Sequence, residues 1–297
     1  MEMTFRQIEI FLSVAKTGNV SRSAEELLLS QSAVSMALGE LERILGGTLF
    51  DRPGRRIFLN ERGRQFMPRA LEIRDRMNEA ASTLRSAHMD ISGSLSIAAS
   101  STVGNYLIPG MMSCMVNKYP ETSMSLSVSN SEEVIRHVMA FEADVGFIEG
   151  YTHEQALVAN KWRSDRMAIV VAPGHELARR KNIEPRDLER CDWILRERGS
   201  GTRDVFEKAA EGKFEIDTIL LELGNTEAIK TAVESGTGIS CLSRLSVERA
   251  VAGGHLVELH TPWLDLTRDF YVIVHKDKYR SAFLNRFLEF SARGGEP

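Results

Sequence analysis

At 297 residues the chain is too long for one small core and has room for two or three domains. Its 43% hydrophobic and 26% charged residues are those of an ordinary globular protein. No run approaches the roughly 18 apolar residues of a membrane span. The net charge of −4 argues against nucleic acid only if it is uniform, and it is not: residues 43–69 hold seven arginines (Arg43, Arg52, Arg55, Arg56, Arg62, Arg64 and Arg69) against Asp51 and Glu61, a local excess of +5. Phosphate contact requires a local patch of this kind, although a charge run alone more often marks a solvated face. The start MEMTFRQIEIF has no basic segment followed by a long apolar one, so no export signal is expected. Three widely spaced cysteines, Cys114, Cys191 and Cys241, fit a reducing cytoplasm, and no CxxC pair or His/Cys cluster calls for a metal.

Three helices are predicted in quick succession. Phe5, Ile8, Phe11, Leu12 and Ala15 form an apolar stripe that Gly18 ends. Ser21 is placed to cap a second helix with Ala24, Leu27 and Leu28 turned inward. Ser30 caps a third, in which Val34, Leu38, Leu41 and Leu45 make a buried stripe that stops at Gly46 and Gly47. The outer face of this third helix opens with Gln31, Ser32 and Ser35, short polar residues rather than the Lys/Glu mix of a solvated helix. Such a face fits the major groove, where Gln reads base edges, and equally a capped surface helix of chance composition until the next segment is read.

Leu49-Phe50 and Ile57-Phe58-Leu59 then flank Asp51-Arg52-Pro53-Gly54-Arg55-Arg56, a hairpin with a basic tip. Three helices and a wing make a winged helix-turn-helix, with the wing arginines on phosphate or in the minor groove. Asn60 caps a long helix running to about Met89. In it Phe66, Ala70, Ile73, Met77, Ala80 and Leu84 step by four and three as a heptad seam, best buried against a second copy of the chain. Pro68 is expected to bend this helix near residues 64–68.

The run Phe5-Arg6-Gln7-Ile8-Glu9-Ile10-Phe11, then Gly18 to Ala24, Ser30-Gln31-Ser32-Ala33-Val34-Ser35, and Leu49-Phe50-Asp51-Arg52 closing on Gly63-Arg64 resembles the DNA-binding region of LysR-type regulators over residues 4–70. Gly39 inside the recognition helix, Ser32 in place of a common proline and Asn60 in place of a frequent threonine depart from the pattern without changing its class.

A composition change at Ser92-Gly93 marks a boundary. Strands are predicted at Ser94–Ser100, Met124–Val128, Val145–Ile148, Ala168–Ala172, Trp193–Arg196, Ile219–Leu223, Ile239–Leu242 and Asp269–His275, with helical patterns between many of them. The fold class is therefore α + α/β. The domains are a DNA-binding domain over 1–60, a dimerisation helix over 61–89 and an α/β effector domain over 93–297. The resemblance implies that the last is periplasmic-binding-protein-like, with subdomain I at about 93–165 and 266–297 and subdomain II at about 166–265, and that the effector sits between them.

Several strand ends run into small polar residues and a helix start: Ser100-Ser101-Thr102, Asn130-Ser131, Gly199-Ser200-Gly201-Thr202 and Asn225-Thr226. Helix N-termini with hydroxyls suit an anion, and Gly199 and Gly201 allow close backbone approach to a ligand. Simple capping explains any one of them; four together point to a site. Glu149, after the Val145–Ile148 strand, is a candidate to bind an amine, to take a proton from a weak acid, or to stand at the surface. Arg196, Arg198 and Arg203 are potential anion partners, with surface salt bridges as the plainer use.

The resemblance places the effector at Ser100, Thr102 and the Ser200–Thr202 turn, near Asn130 and Asn225. SSTVGNYLIP and RERGSGTR resemble a subgroup of carbon-fixation and sulfur-oxyanion regulators. IEG followed by LGNTEAIKTAVESGTGISCLSR resembles sulfite-responsive members, which implies sulfite or sulfate first and a phosphorylated metabolite second. The partners implied are promoter DNA, the effector, further copies in a dimer or tetramer, and RNA polymerase. No GxSxG, HExxH, Walker or dinucleotide motif is present, so an enzyme is not expected, and Gly199–Thr202 lacks the lysine of a phosphate loop.

Overall fold

The computed structural model describes residues 2–53, 56–85 and 91–294, with side chains described for all of these but 82–85. The expected wing-tip Arg55, the seam side chain of Leu84 and the helix end at about Met89 lie outside the described residues. In chain order the elements are α1 (Phe5–Thr17), α2 (Val20–Glu26), α3 (Gln31–Ile44), β1 (Phe50–Asp51), β2 (Phe58–Leu59), α4 (Glu61–Arg85), β3 (Gly93–Ser100), α5 (Ser101–Tyr106), α6 (Ile108–Lys118), β4 (Thr122–Ser129), α7 (Ser131–Met139), β5 (Val145–Glu149), β6 (Leu157–Val171), α8 (Pro185–Glu189), β7 (Asp192–Arg196), α9 (Gly201–Ala210), β8 (Thr218–Leu223), α10 (Thr226–Glu234), β9 (Ser240–Ser243), α11 (Arg244–Ala252), β10 (Val257–Glu258), β11 (Thr267–His275) and α12 (Ala282–Ala292). They divide into two units. One is drawn from Met1–Ser94, Tyr119–Ser123 and Asp277–Phe287; the other from Leu95–Lys118, Met124–Lys276 and Leu288–Pro297. No helix among the described residues is long and apolar enough to cross a membrane.

In the first unit, Thr4 and Gln7 form a reciprocal capping box that starts α1. Ile8, Phe11 and Leu12 are buried as expected, joined by Ile10 and Val14. The cap of α2 is Asn19, not Ser21: its side chain accepts from the Arg22 N–H at 3.1 Å, and Ser21 is exposed. Ser30 caps α3 through the Ala33 N–H at 3.2 Å, and Val34, Leu38 and Leu41 are fully buried. The wing pairs Phe50 with Leu59 and Asp51 with Phe58. Asn60 then starts α4 by accepting from the Gly63 N–H at 2.9 Å. Gly63 packs so tightly that a Cβ there would collide with the Leu49 carbonyl oxygen, so this position tolerates no side chain.

The expected seam of α4 is divided. Phe66 packs edge-on against Phe11 at 5.0 Å and Ala70 is fully buried within the single chain, so both serve the helix-turn-helix core. Farther along, Met77 is 51% exposed and Ala80 is exposed, while Ile73 is half-buried. The same helix is tied to the 277–287 segment: Lys278 Nζ lies 3.1 Å from Asp75, Tyr279 donates to Glu79 at 2.8 Å, and Arg76 lies over the Tyr279 ring.

In the second unit the sheet order is β10-β6-β11-β5-β3-β4, with β9 also paired to β6. A separate parallel pair is formed by β7 and β8. β6 changes partners along its length: up to Arg166 it pairs antiparallel with β11, and from Met167 with β9. Met167, Ile169 and Val171 join one buried cluster with Trp193, Phe206 and Phe214, while Ala168 and Val170 join another with Ile229, Val233 and Leu242. Burial on both faces explains why Ala168–Ala172 reads as an unbroken apolar run. The first ten residues of β6, Leu157–Arg166, are largely polar and half-exposed, so no strand is predicted there. Their pairing with β11 makes the strand, aided by Lys161–Asp269 at 2.8 Å.

Leu28 departs from expectation. It is 93% exposed with φ +54°, not turned inward. It closes α2 in a Schellman turn, where the Leu29 N–H donates to the Ala24 carbonyl at 2.8 Å and the Leu28 N–H to the Glu25 carbonyl at 3.2 Å. Left-handed backbone penalises any Cβ, so Leu28→Gly is expected to stabilise the protein by about 0.5–1 kcal/mol, and Leu28→Ala to leave it near the parent. Thermal unfolding checks this; no rise for the glycine variant refutes it.

Candidate functional site

Two surfaces carry the residues that the sequence singles out. The first is α3 with the wing. Gln31, Ser32 and Ser35 are exposed along α3, and Ser30 is exposed at its cap. Met36, which sequence reading passed over, is 74% exposed beside them. The arginines of 43–69 sort into two groups. Arg43 pairs with Glu40 at 2.7 Å, Arg62 donates to the Leu45 carbonyl at 2.6 Å, Arg64 donates to the Leu59 carbonyl at 2.8 Å, and Arg69 pairs with Glu72 at 3.2 Å. Arg62 and Arg64 thus bind α4 to the segments before it, while Arg43 and Arg69 pair with carboxylates on their own helices. Arg52 makes only a long contact to Glu42, at 3.7 Å, and exposed Arg56 has no hydrogen bond or ion pair among the described residues. Among the described arginines of 43–69, the two without a close partner, Arg52 and Arg56, both lie on the wing.

The second surface is a cavity of about 380 Å³ lined by Ser101, Asn105, Val128, Ser129, Asn130, Glu133, Glu197, Gly224, Asn225 and Thr226. Three helices begin at it: α5, α7 and α10. Asn130 caps α7 by accepting from the Glu133 N–H at 2.9 Å, and Asn225 caps α10 by accepting from Glu227 N–H at 2.8 Å and Ala228 N–H at 3.2 Å. No lysine or arginine lines the cavity. Glu197 is neutralised from behind: buried Arg196 holds it bidentately at 2.7 and 2.8 Å. Burial by itself would raise the Glu197 carboxyl, but Arg196 outweighs it and holds the group below the usual range. Arg203 is likewise committed, to Glu207 at 2.6 Å and Glu222 at 2.5 Å, while Arg198 is exposed. Tyr106 of α5 donates to the Glu227 carboxylate of α10, which Lys230 also holds at 2.9 Å.

Of the expected effector residues, Ser101, Asn130 and Asn225 line this cavity. Ser100, Thr102, Ser131, Glu149, Ser200 and Thr202 are buried outside its lining. The Gly199–Thr202 turn is filled by protein. A side chain at Gly201 would collide with the Glu149 carbonyl and with Ser131 Oγ, and Gly199 lies against Glu132. The two glycines admit neighbouring chain here, where a ligand was expected.

Glu149 is neither at the surface nor facing an open pocket. It belongs to a buried knot whose centre, Arg268, sequence reading missed. The Arg268 guanidinium donates from Nε to Asp165 (2.7 Å), from Nη1 to Glu149 (2.8 Å) and Thr202 Oγ1 (3.0 Å), and from Nη2 to Thr102 Oγ1 (3.2 Å). Thr202 Oγ1 in turn donates to Glu149 at 2.5 Å, the Thr102 N–H reaches it at 3.3 Å, and Ser243 donates to Asp165 at 3.1 Å. All three charged side chains are at most 2% exposed. The missed signal was a lone arginine on the buried face of a strand, in register with Phe270, Val272 and Val274. Two residues before Thr102, the Ser100 hydroxyl is buried with no hydrogen-bond partner among the described residues.

Burial of the Glu149 carboxyl would raise its pKa, yet Arg268, with the side chains of Thr102 and Thr202, brings it down to about 2. A depressed carboxylate contributes stability that is complete above its unfolded value, 4.5, and is lost as pH falls towards 2. Glu149→Gln is expected to flatten that part of the stability–pH profile. Arg268→Met strands two buried carboxylates and is expected to cost about 3–5 kcal/mol at neutral pH. Denaturant unfolding across pH checks both; an unchanged acid limb for Glu149→Gln refutes the first.

Residues 5–64 match the family described as "Bacterial regulatory helix-turn-helix protein, lysR family", and residues 89–295 match "LysR substrate binding domain". The chain is 41% identical over 290 residues to the HTH-type transcriptional regulator YeiE of Escherichia coli K12, covering 98% of this chain and 97% of that one. Full-length OxyR from Pseudomonas aeruginosa has the same fold, with a TM-score of 0.73 at 18% identity over 98% of this chain and 97% of that one. The regulatory domain of Synechocystis PCC6803 CcmR, solved in complex with 2-PG, superposes with a TM-score of 0.64 at 28% identity, over 69% of this chain and 98% of that domain.

Proposed function

We propose, from the premise that this chain belongs to the LysR family of DNA-binding transcriptional regulators, that the ligand of its effector domain is a small oxyanion, sulfite or sulfate, held in the cavity where α5, α7 and α10 begin. The carrying observation is that convergence. The partial positive charge at the starts of α7 and α10 meets the hydroxyls and amides of Ser101, Asn130, Asn225 and Thr226, and the lining, whose charged groups are Glu133 and Glu197, has no cationic side chain to favour a larger polyanion. The second reading is a phosphorylated or carboxylate metabolite. A volume of about 380 Å³ has room for more than one oxyanion, and the CcmR regulatory domain was solved with 2-PG.

The effector domain works as two subdomains, about 93–165 with 266–297 and about 166–265; the bond from Arg268 of β11 to Asp165 of β6, at the bounds of this division, supports the reading. Ligand binding draws the subdomains together and reshapes a cytoplasmic homotetramer, changing the spacing of its DNA-binding pairs and the bend of promoter DNA where RNA polymerase acts. Ile73, Met77 and Ala80 supply the part of α4 that meets a second copy. Ser30, Gln31, Ser32 and Ser35 enter the major groove, and Arg52, Arg55 and Arg56 lie on phosphate or in the minor groove.

Two measurements test this. In a thermal-shift panel, sulfite or sulfate at a hundredfold excess over Kd is expected to stabilise the protein by about 2.7 kcal/mol, and Asn130→Ala to abolish the shift. A response only to phosphorylated or carboxylate compounds selects the second reading, and no response to any anion removes both. On promoter DNA, Arg52→Ala and Arg56→Ala are each expected to weaken binding and to reduce the slope of log K against log salt by about 0.9 for every DNA-bound subunit. An unchanged slope removes the wing contacts.

A further inference from the structure

Met36 occupies a position that the domain's own packing does not explain. The inner face of α3 is closed by Val34, Leu38 and Leu41, all fully buried. Its outer face consists of Gln31, Ser32, Ser35, Met36 and Gly39, all exposed. Four of these are short or polar; the fifth is a long apolar side chain left 74% in water. Met36 follows Ser32 by one helical turn and precedes Gly39 by three residues, so all three lie on one stripe. A Cβ at Gly39 would meet nothing within 4 Å, so the surface past Met36 is bare backbone that a neighbour can approach closely.

A groove entered by this face presents mostly hydrogen-bonding atoms and one apolar group, the C5-methyl of thymine. Gln and Ser suit the former. An unbranched thioether with three rotatable bonds suits the latter and reaches it without a fixed backbone register. We propose that Met36 is a specificity-determining residue that selects thymine in each half-site by burying its side chain against the thymine methyl. This rests on α3 being the helix that enters the major groove.

The test uses full-length protein. Duplexes are first selected from a random pool, and each thymine of the selected site is then replaced singly by deoxyuridine, which removes only the methyl group. The parent is expected to lose about fourfold in affinity at one thymine per half-site, the value of one buried methyl. Met36→Ala should bind the thymine and uracil duplexes equally, and Met36→Leu should keep the preference. Since Met36 is exposed, the variants should melt with the parent. Salt-dependent binding that is indifferent to every deoxyuridine overturns the proposal alone, as does Met36→Ala retaining the parent's sensitivity. Failure to select any duplex overturns the DNA-entry premise with it.

Discussion

The second unit depends on one guanidinium. Arg268 meets two buried carboxylates, Glu149 and Asp165, and the hydroxyls of Thr102 and Thr202. Removing such ions from water costs roughly several kcal/mol each, repaid only when the geometry is good and the remaining lone pairs are satisfied. Here both threonines and Ser243 supply that satisfaction. The groups come from the end of β5, from β6, from β11 and from the starts of α5 and α9, so one side chain sets the relative position of five elements. A hydrophobic core tolerates sliding better than a planar fork with fixed bond directions does.

The same constraint separates structural polarity from polarity offered to a ligand. Thr102, Thr202 and Glu149 look like cleft residues because they are polar and sit at strand ends. Their side chains are spent within the knot. Ser101, Asn130 and Asn225, from the same kind of local motif, face the cavity instead. Glu197 shows an intermediate state: it lines the cavity while Arg196 holds its carboxylate.

Charge in the first unit divides in a similar way. Arg62 and Arg64 hold the carbonyls of Leu45 and Leu59, and Arg43 and Arg69 pair with carboxylates of their own helices. Arg52 and Arg56 remain exposed on the wing. A run of arginines in sequence is thus divided between side chains with protein partners and side chains left exposed, and only carbonyl and carboxylate positions distinguish the two.

Local physics determined much of this protein from its sequence alone. The stripe of α3, the Ser30 cap, the stop at Gly46, the paired wing and most strands follow from side-chain period, capping chemistry and glycine, all settled within a few residues. Local rules also misled: Ser21 and Asn19 are both competent caps, and Leu28 fits an inward stripe until the Schellman turn directs it outward. What only the tertiary structure decided are the long-range partners. These are the 103-residue separation of Asp165 from Arg268, the polar half of β6 that exists by pairing with β11, the burial of Ala70 within its own chain, and the Gly201 approach to Glu149. A residue's type limits which bonds it can make, but distance along the chain carries no information about which partner folding will bring to it.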